Sequence, residues 1–540
     1  MSFLERWNMF MEKLKQGKFE IFIVVVLLFG GIFIRAFHFG ISPVGIHQDE
    51  AMAAVDALAL SKYGTDRFGM PYPVHFTAWG YGQMSVLLSY FMVPFIKIMG
   101  FSIVSVRLPM LVISSIGLMM LYFVARKLYG VIAGYVALLL GCVCPWHYMQ
   151  SRWSLDCNMF PHIFIIGVVL LMYGLKKRWM MYLSMVFFAL CSYCYGIANY
   201  SVPLFLLVMA IVLCKDKIVK THELIISMFI YLLIALPEFL VMIINLFGLE
   251  TIETPLFTIP YFPESVRSND ILFMNFSFSQ LLENIGDMIA VVWGKGETTI
   301  SATIVEFGPL YHFTVIFFLI GLVVAFSKMR RYTSKEEKMC YVILLAWFFM
   351  GIWIGIMTNG VLIHRINVIF YSILLLAAVG ICWCIEKWKL LVYPIVALYG
   401  VSALLFLSAY FGEWTEKSRD FYFESYVNAL NYAKTLECDY YHIFPDPQWT
   451  DHYELGRILT MFCHEIDAEY FQGITNVQDG KEVLPFDERY TFEEIDAQTI
   501  RDFSDKSIVY LINGKDLKLF SQEEYEFVSF YDSYYVVSRK

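Results

Sequence analysis

Charge is what this chain has least of. Only 16% of its 540 residues are Asp, Glu, Lys or Arg, where a water-soluble domain carries about 25%, so a soluble globular enzyme of this length is excluded. Basic excess is missing as well: 40 Lys and Arg stand against 48 Asp and Glu, a net charge of −8, with no footprint for nucleic acid. There is no internal repeat and no low-complexity stretch, which excludes a solenoid. Paired metal-binding motifs are absent too. Cys191-x-x-Cys194 has no second pair in a water-facing segment, and most of the 11 cysteines lie in apolar runs, where they act as small hydrophobes. No small-residue cleavage site follows the first apolar run, Ile21–Ile34. Arg35, Phe37 and His38 come next, so the run is read as a retained anchor behind Lys13, Lys15 and Lys18.

What is there is hydrophobic length. Hydrophobic residues make up 59% of the chain and aromatics 18%. Spans of about 20 apolar residues are predicted at 20–38, 104–126, 130–148, 159–175, 179–197, 200–214, 223–247, 309–327, 339–358, 366–384 and 390–412. The fold class is therefore mainly α, a polytopic transmembrane helical bundle of about 11 spans. With the N-terminus in the cytoplasm, every basic cluster between spans falls inside: Arg126-Lys127, Lys176-Lys177-Arg178, Lys215/Lys217/Lys220, Lys328 to Lys338 and Lys387/Lys389. That agreement requires the apolar stretch 81–99 not to cross. It is read as an interfacial helix within one external loop, 40–103. A second long external loop covers 248–308, and the domain in the membrane is 1–412. Residues 413–540 read as a soluble extracytoplasmic α/β domain, with helices over Phe421–Leu436 and Leu455–Cys463 and strands at Tyr440–Phe444, Ser507–Ile512 and Val528–Val537. Cys438 and Cys463 lie in that domain, and a disulfide between them is open.

On this topology Asp49, Arg152, Asp156, His364 and Arg365 reach one face of the membrane from distant parts of the sequence. Ionisable groups near lipid are costly, which points to a shared polar cavity. His47-Gln48-Asp49-Glu50 admits two readings: an acidic reaction centre, or an acidic start, capped by Asp, to the Ala-rich helix that follows. An ionised Asp at a helix head can act as general base or hold a divalent cation, so Asp49 and Asp156 are the carboxylates for a metal if there is one. Arginine matches phosphate at two points. Carboxylate with arginine at a lipid boundary suits displacement at a carbon whose leaving group is a lipid phosphate. Arg107 and Arg126 read as membrane boundaries. Arg35 and His38 either snorkel outward or line the site. Glu238 stands either at a helix end or in the cavity.

The order Asp49-Glu50, Tyr81-Gly82, Arg107-Leu108-Pro109, Arg126-Lys127-Leu128-Tyr129-Gly130, Arg152 and Asp156 resembles the GT-C membrane glycosyltransferases. The likeness is to the bacterial relatives of protein O-mannosyltransferases (glycosyltransferase family 39-like) and the aminoarabinose transferase of lipid A. It covers roughly residues 20–215, with Arg365-Ile366-Asn367 as a further match. The resemblance implies transfer of a sugar from a polyprenyl-phosphate donor to an extracytoplasmic acceptor, whether protein, lipid or cell-wall glycan. In it Asp49 is the base with Glu50 as neighbour, Asp156 the second-loop acid, and Arg152 and Arg365, with His364 beside the latter, face the lipid phosphate. The chain departs from the family at Tyr81-Gly82-Gln83-Met84-Ser85, where a basic residue and a Pro-Pro pair are usual. Gln83 cannot neutralise a phosphate, which shifts that duty to Arg152, Arg365 or His75. The alternative is a transporter or flippase of lipid-linked sugars. Inverted repeats with broken helices, a frequent transporter signature, are not evident.

Overall fold

Main-chain polar groups in lipid find no water and must pair within their own segment, so the apolar runs are helices. A computed structural model describes residues 12, 14, 17–78, 82–262, 277–294, 297–358, 360–449, 452–472, 476–478, 481–483, 486–502 and 507–540. The order is α1 (Gly17–Ala36), α2 (Gln48–Tyr63), the hairpin β1 (His75–Ala78) and β2 (Gly82–Ser85), α3 (Leu87–Met99), α4 (Ile103–Tyr129), α5 (Val131–Val143), α6 (Pro145–Gln150), α7 (Asp156–Gly174), α8 (Arg178–Leu190), α9 (Ala198–Lys215) and α10 (Thr221–Phe247). There follow β3 (Ile252–Glu253), β4 (Thr258–Ile259), α11 (Phe278–Trp293), α12 (Thr314–Arg330), α13 (Lys335–Met357), α14 (Ile363–Ile366), α15 (Ile369–Lys387) and α16 (Val392–Ala409).

Every expected span lies on helix, and among the described residues eight helices are long and apolar enough to cross a membrane. Three of the others are shorter for local reasons. The span expected at 130–148 breaks at Cys144, because Pro145 cannot continue α5 and instead opens α6. The span expected at 179–197 is α8 plus one 3-10 turn, Cys191–Tyr193. The span expected at 309–327 is α12, of 17 residues. The interfacial helix expected over 81–99 is only Leu87–Met99, since Gly82–Ser85 pair with His75–Ala78 as a hairpin; Trp79 and Tyr81 lie outside the described residues. With 13 residues, α3 is about 20 Å long, short of the ~30 Å hydrocarbon core, and does not cross. In the second long loop, α11 exposes Phe278, Leu282, Ile285 and Ile289 along one side, an apolar stripe at helical spacing.

The central post of the bundle is α15, buried almost throughout. It meets α12 at glycines. A β-carbon on Gly380 would stand 2.0 Å from the Phe317 carbonyl oxygen, and one on Gly321 1.8 Å from that of Leu376. Small residues let these two backbones touch, the usual device where lipid supplies no hydrophobic drive between helices.

Beyond α16 the chain makes a π turn (Tyr410–Trp414) and continues as α17 (Glu424–Ala433), β5 (Tyr440–Ile443), α18 (His452–His464), α19 (Ala468–Phe471), β6 (Asn476–Gln478), β7 (Lys481–Val483), α20 (Phe486–Arg489), β8 (Tyr490–Thr491), α21 (Ala497–Asp502), β9 (Ile508–Asn513), β10 (Tyr525–Phe530) and β11 (Tyr534–Arg539). Five strands form one sheet in the order β10-β11-β9-β5-β8, antiparallel among the first three and parallel across β9-β5-β8. The expected small α/β unit is present, with one correction and one open question closed. The strand expected over Val528–Val537 is a hairpin, turned at Tyr531 and Asp532 in the left-handed region (φ 51° and 55°). Cys438 and Cys463 are both free thiols, so the disulfide does not form.

Gly380→Val should force α12 and α15 apart and lower the melting temperature of the solubilised protein, since overpacking costs about 1–3 kcal/mol. Gly400→Val in α16 is the control, because a β-carbon there meets nothing within 4 Å. Equal melting temperatures for the two variants would refute this packing.

Candidate active site

The acidic run starts α2, but its capping residue is His47 rather than Asp49. The His47 Nδ1 accepts the Asp49 N–H (3.3 Å), and the Glu50 carboxylate reaches back to accept the His47 N–H (3.2 Å). Burial holds the imidazole below its usual pKa, so it is neutral near pH 7 and able to accept.

Glu50 is fully buried and every acceptor position on it is filled. Arg107 donates to both oxygens (Nε–Oε1 3.0 Å, Nη2–Oε2 2.8 Å), Ser154 N–H to Oε1 (2.9 Å) and His47 N–H to Oε2. Arg107, also fully buried, donates further to the carbonyls of Pro43 (2.7 Å) and Gly45 (3.0 Å). This latch ties the head of α2, the first turns of α4 and the loop before α7. It corrects two expectations. Glu50 is no neighbour poised for catalysis, and Arg107 does more than mark a membrane boundary.

Arg152 is corrected as well. Its five N–H donors go to four carbonyls: Ser42 twice (3.1 and 2.6 Å), Phe37 (2.8 Å), His38 (2.8 Å) and Arg35. It is wholly buried, clamping the C-terminal end of α1, where the helix dipole favours a cation, and keeps no donor for a phosphate. Arg35 does not snorkel. Buried between α1 and α5, it donates to the carbonyls of Gly31, Gly141 and Cys142 and to His147, which hydrogen-bonds Tyr371, itself bonded to His162.

The side chains around the latch are less constrained. Asp49 leaves a third of its carboxylate side chain exposed, 3.6 Å from His47 Nδ1. Asp156 is the first residue of α7, at the positive end of that helix, and accepts the N–H groups of Cys157 (2.7 Å) and Ser85 (3.4 Å). Ser85 faces His75 across the β1–β2 hairpin, and His75 Nδ1 meets the buried Glu238 of α10 at 3.0 Å, which places Glu238 in the site cluster. Gln83, half-buried, lies opposite Thr77 on the same hairpin. The Asn367 amide donates to the Cys157 carbonyl (2.7 Å), bringing the turn that carries the half-buried His364 and Arg365 to the head of α7. Glu297 was missed, because nothing in its surrounding sequence marks it. Its buried carboxylate accepts the Ile363 N–H (2.5 Å) that opens α14. Burial raises its pKa, and that hydrogen bond, Thr299 and the Arg365 charge oppose the rise. Asp49, Asp156, His75, Gln83, His364 and Arg365 thus sit on elements that meet at one end of the bundle. Among the described residues no group of three or more His, Cys, Asp or Glu side chains is arranged to hold a metal.

Residues 421–424 close over α2 from above. Phe421 stacks on His47 (4.7 Å), and Tyr422 accepts the Ile46 N–H (2.9 Å). Gly45, with φ 63°, leaves no room for a side chain: a β-carbon would lie 2.2 Å from the Tyr422 oxygen. The far end of α2 is held by Asp467, which accepts from Lys62 and Tyr63 (both 2.8 Å). On the buried side of α2, Arg67 pairs with Asp56 (2.5 Å), and Asp66 accepts from the N–H groups of Phe68 and Met70 while its second oxygen has no partner.

Residues 84–241, from β2 to α10, match the family model described as dolichyl-phosphate-mannose-protein mannosyltransferase. Two crystal structures are similar along most of the chain. One is ArnT from Cupriavidus metallidurans bound to undecaprenyl phosphate, with a TM-score of 0.53 and 12% identity over 96% of this chain and 97% of that one. The other is the apo oligosaccharyltransferase of Archaeoglobus fulgidus, with a TM-score of 0.51 and 10% identity over 93% and 70%. The fold is GT-C. Among curated proteins the sequence finds no match. Within this fold the latch and the Asp156 cluster both sit where α2, β2, α4 and α7 meet.

Glu50→Ala strands the Arg107 charge in a dry site and should destabilise the protein by about 3–5 kcal/mol. Removing both partners in Glu50→Leu/Arg107→Met should restore part of that loss. A double-mutant cycle on melting temperature measures the coupling, and additivity would show the pair to be idle. Burial raises the Asp66 pKa, so the folded protein keeps that proton to higher pH than the unfolded chain does. The stability contributed is full at low pH and is lost as pH rises through the raised value. Asp66→Asn keeps the acceptor and has no proton to lose. It should melt above the parent at pH values beyond the raised pKa and converge with it only below the ordinary carboxylate range, about pH 4; a difference that does not change with pH would contradict this.

Proposed function

We propose that the protein transfers a sugar from a polyprenyl-phosphate carrier to an acceptor at the extracytoplasmic face, a protein, lipid or cell-wall glycan. One observation carries the reading. Of the adjacent acids at the head of α2, Glu50 is locked in the latch and Asp49 is left one-third exposed, held by its main chain at a fixed point. The undecaprenyl phosphate bound by the similar ArnT and the dolichyl-phosphate-mannose of the family description supply the donor class. The orientation follows from charge. Lys127 and Lys176 pair with Glu336, Arg178 with Glu223 and Lys338 with Asp216, at the ends of α4, α7, α8, α9, α10 and α13 away from Asp49, and lysine-rich connections favour the cytoplasmic side.

In the step, Asp49 takes the proton of the acceptor hydroxyl as its oxygen attacks the anomeric carbon. The bond from that carbon to the phosphate oxygen breaks on the opposite side, with inversion, and the carrier phosphate leaves with the electron pair. Arg365, on the α14 turn, faces the departing phosphate. Asp156 orients the reacting groups from the head of α7, and His75, with Glu238 behind it, lies beside Asp156 through Ser85. Arg152 has no part in the step. A divalent cation held by Asp49 and Asp156 is tested by chelation: transfer that persists in chelator removes it from the step.

Asp49→Asn should cut transfer from a labelled lipid-linked sugar in proteoliposomes by about 10²–10⁴-fold, the range for a general base, with the melting temperature unchanged. Near-parental transfer would remove Asp49 from the role. Movement of lipid-linked sugar across the bilayer without transfer would establish the transporter reading instead.

A further inference from the structure

At the end of the bundle away from Asp49, α7, α8, α9 and α10 do not close on one another. They leave a cavity of about 230 Å³, lined by Met181, Met185, Met209, Met228 and Ile225 among other apolar side chains. Its single polar lining residue, Ser227, donates its hydroxyl to the Glu223 carbonyl of its own helix (2.8 Å), so nothing in the wall seeks water. The cavity opens sideways: Ile225 is 64% and Met228 40% exposed on the surface that faces lipid. An unfilled space here forfeits dispersion contacts, and methionine is the side chain best able to mould itself to a flexible chain.

A second observation is independent of the first. The cavity wall lies within one or two helical turns of the connections α7–α8 and α9–α10, which carry Lys177, Lys215, Lys217 and Lys220, all exposed. None of the four takes part in an ion pair among the described residues, and the nearby acids are engaged elsewhere, Asp216 with Lys338 (2.5 Å) and Glu223 with Arg178 (3.0 Å). Trp179, 62% exposed, stands at the same level, as aromatic residues do at a membrane–water boundary. Basic residues gathered over a gap between spanning helices are the arrangement that receives an anionic headgroup.

We propose that this crevice binds an anionic phospholipid, with one acyl chain in the methionine-lined cavity and the headgroup phosphate among Lys177, Lys215, Lys217 and Lys220. The site is separate from the sugar-transfer reading and stands or falls without it. The test uses the full-length protein in phosphatidylcholine nanodiscs doped with either phosphatidylglycerol or phosphatidylcholine bearing a photoactivatable acyl chain, with crosslinks mapped by peptide mass spectrometry. The glycerol lipid should label the stretches around Met181–Met185 and Met209–Met228 several-fold more than the choline lipid. Changing the four lysines to glutamine should abolish that preference, and Met209→Trp, which fills the cavity, should reduce labelling by both lipids. Equal labelling by the two lipids, or a preference that survives loss of the lysines, overturns the proposal. So does labelling confined to a photoactivatable polyprenyl phosphate. Where Met209→Trp fails to assemble, the lysine variant decides alone.

Discussion

An ion pair sealed from water holds this architecture in register. Glu50 and Arg107 meet at two points, and each remaining acceptor position on the carboxylate is filled by a main-chain N–H. Burying two charges is repaid only when geometry and hydrogen bonding are complete, and breaking such a pair is far more damaging than never having had it. The pair joins segments that share no secondary structure: the head of α2, the start of α4 and the loop leading to α7. The placement of Asp49 and Asp156 follows, because one adjoins Glu50 in sequence and the other stands two residues past Ser154.

A second tier of buried cations works without carboxylates. Arg35 and Arg152 have carbonyl oxygens as their chief partners, gathered where α1 ends and where α5 gives way to α6. Helix C-terminal ends offer unpaired carbonyls and a partial negative charge, so a guanidinium satisfies both deficits at once. These arginines hold the frame so that other side chains can face a substrate.

Among the described residues eight helices are long and apolar enough to cross a membrane, and the helices were legible because hydropathy is written locally. So was the general convergence of Asp49, Asp156 and Arg365, which follows from topology. Roles within the cluster were not. Arg152 next to a tryptophan-rich loop reads as a phosphate ligand, and its engagement with four carbonyls depends on where α1 stops, which its own neighbourhood does not record. Glu50 and Asp49 are adjacent acids with opposite fates, decided by which faces Arg107. Gly82–Ser85 were absorbed into a helix because an apolar run follows them, and each strand of the hairpin, His75–Ala78 and Gly82–Ser85, is only four residues long, too short to display an alternating pattern. Val528–Val537 concealed a hairpin because Tyr531 and Asp532 adopt left-handed backbone without a glycine to announce it.

The cover laid over His47 by residues 421–424 bears on how the polypeptide is made. Gly45 has no space for a side chain because Tyr422 is already there, and Phe421 completes the stack on the imidazole. The first 50 residues leave the ribosome long before these partners exist. Until residues 421–424 have been translated and folded back, the head of α2 stays uncovered and the centre it carries unfinished. The early helices therefore form before their cover exists, and the head of α2 is completed only after residue 424 has been made.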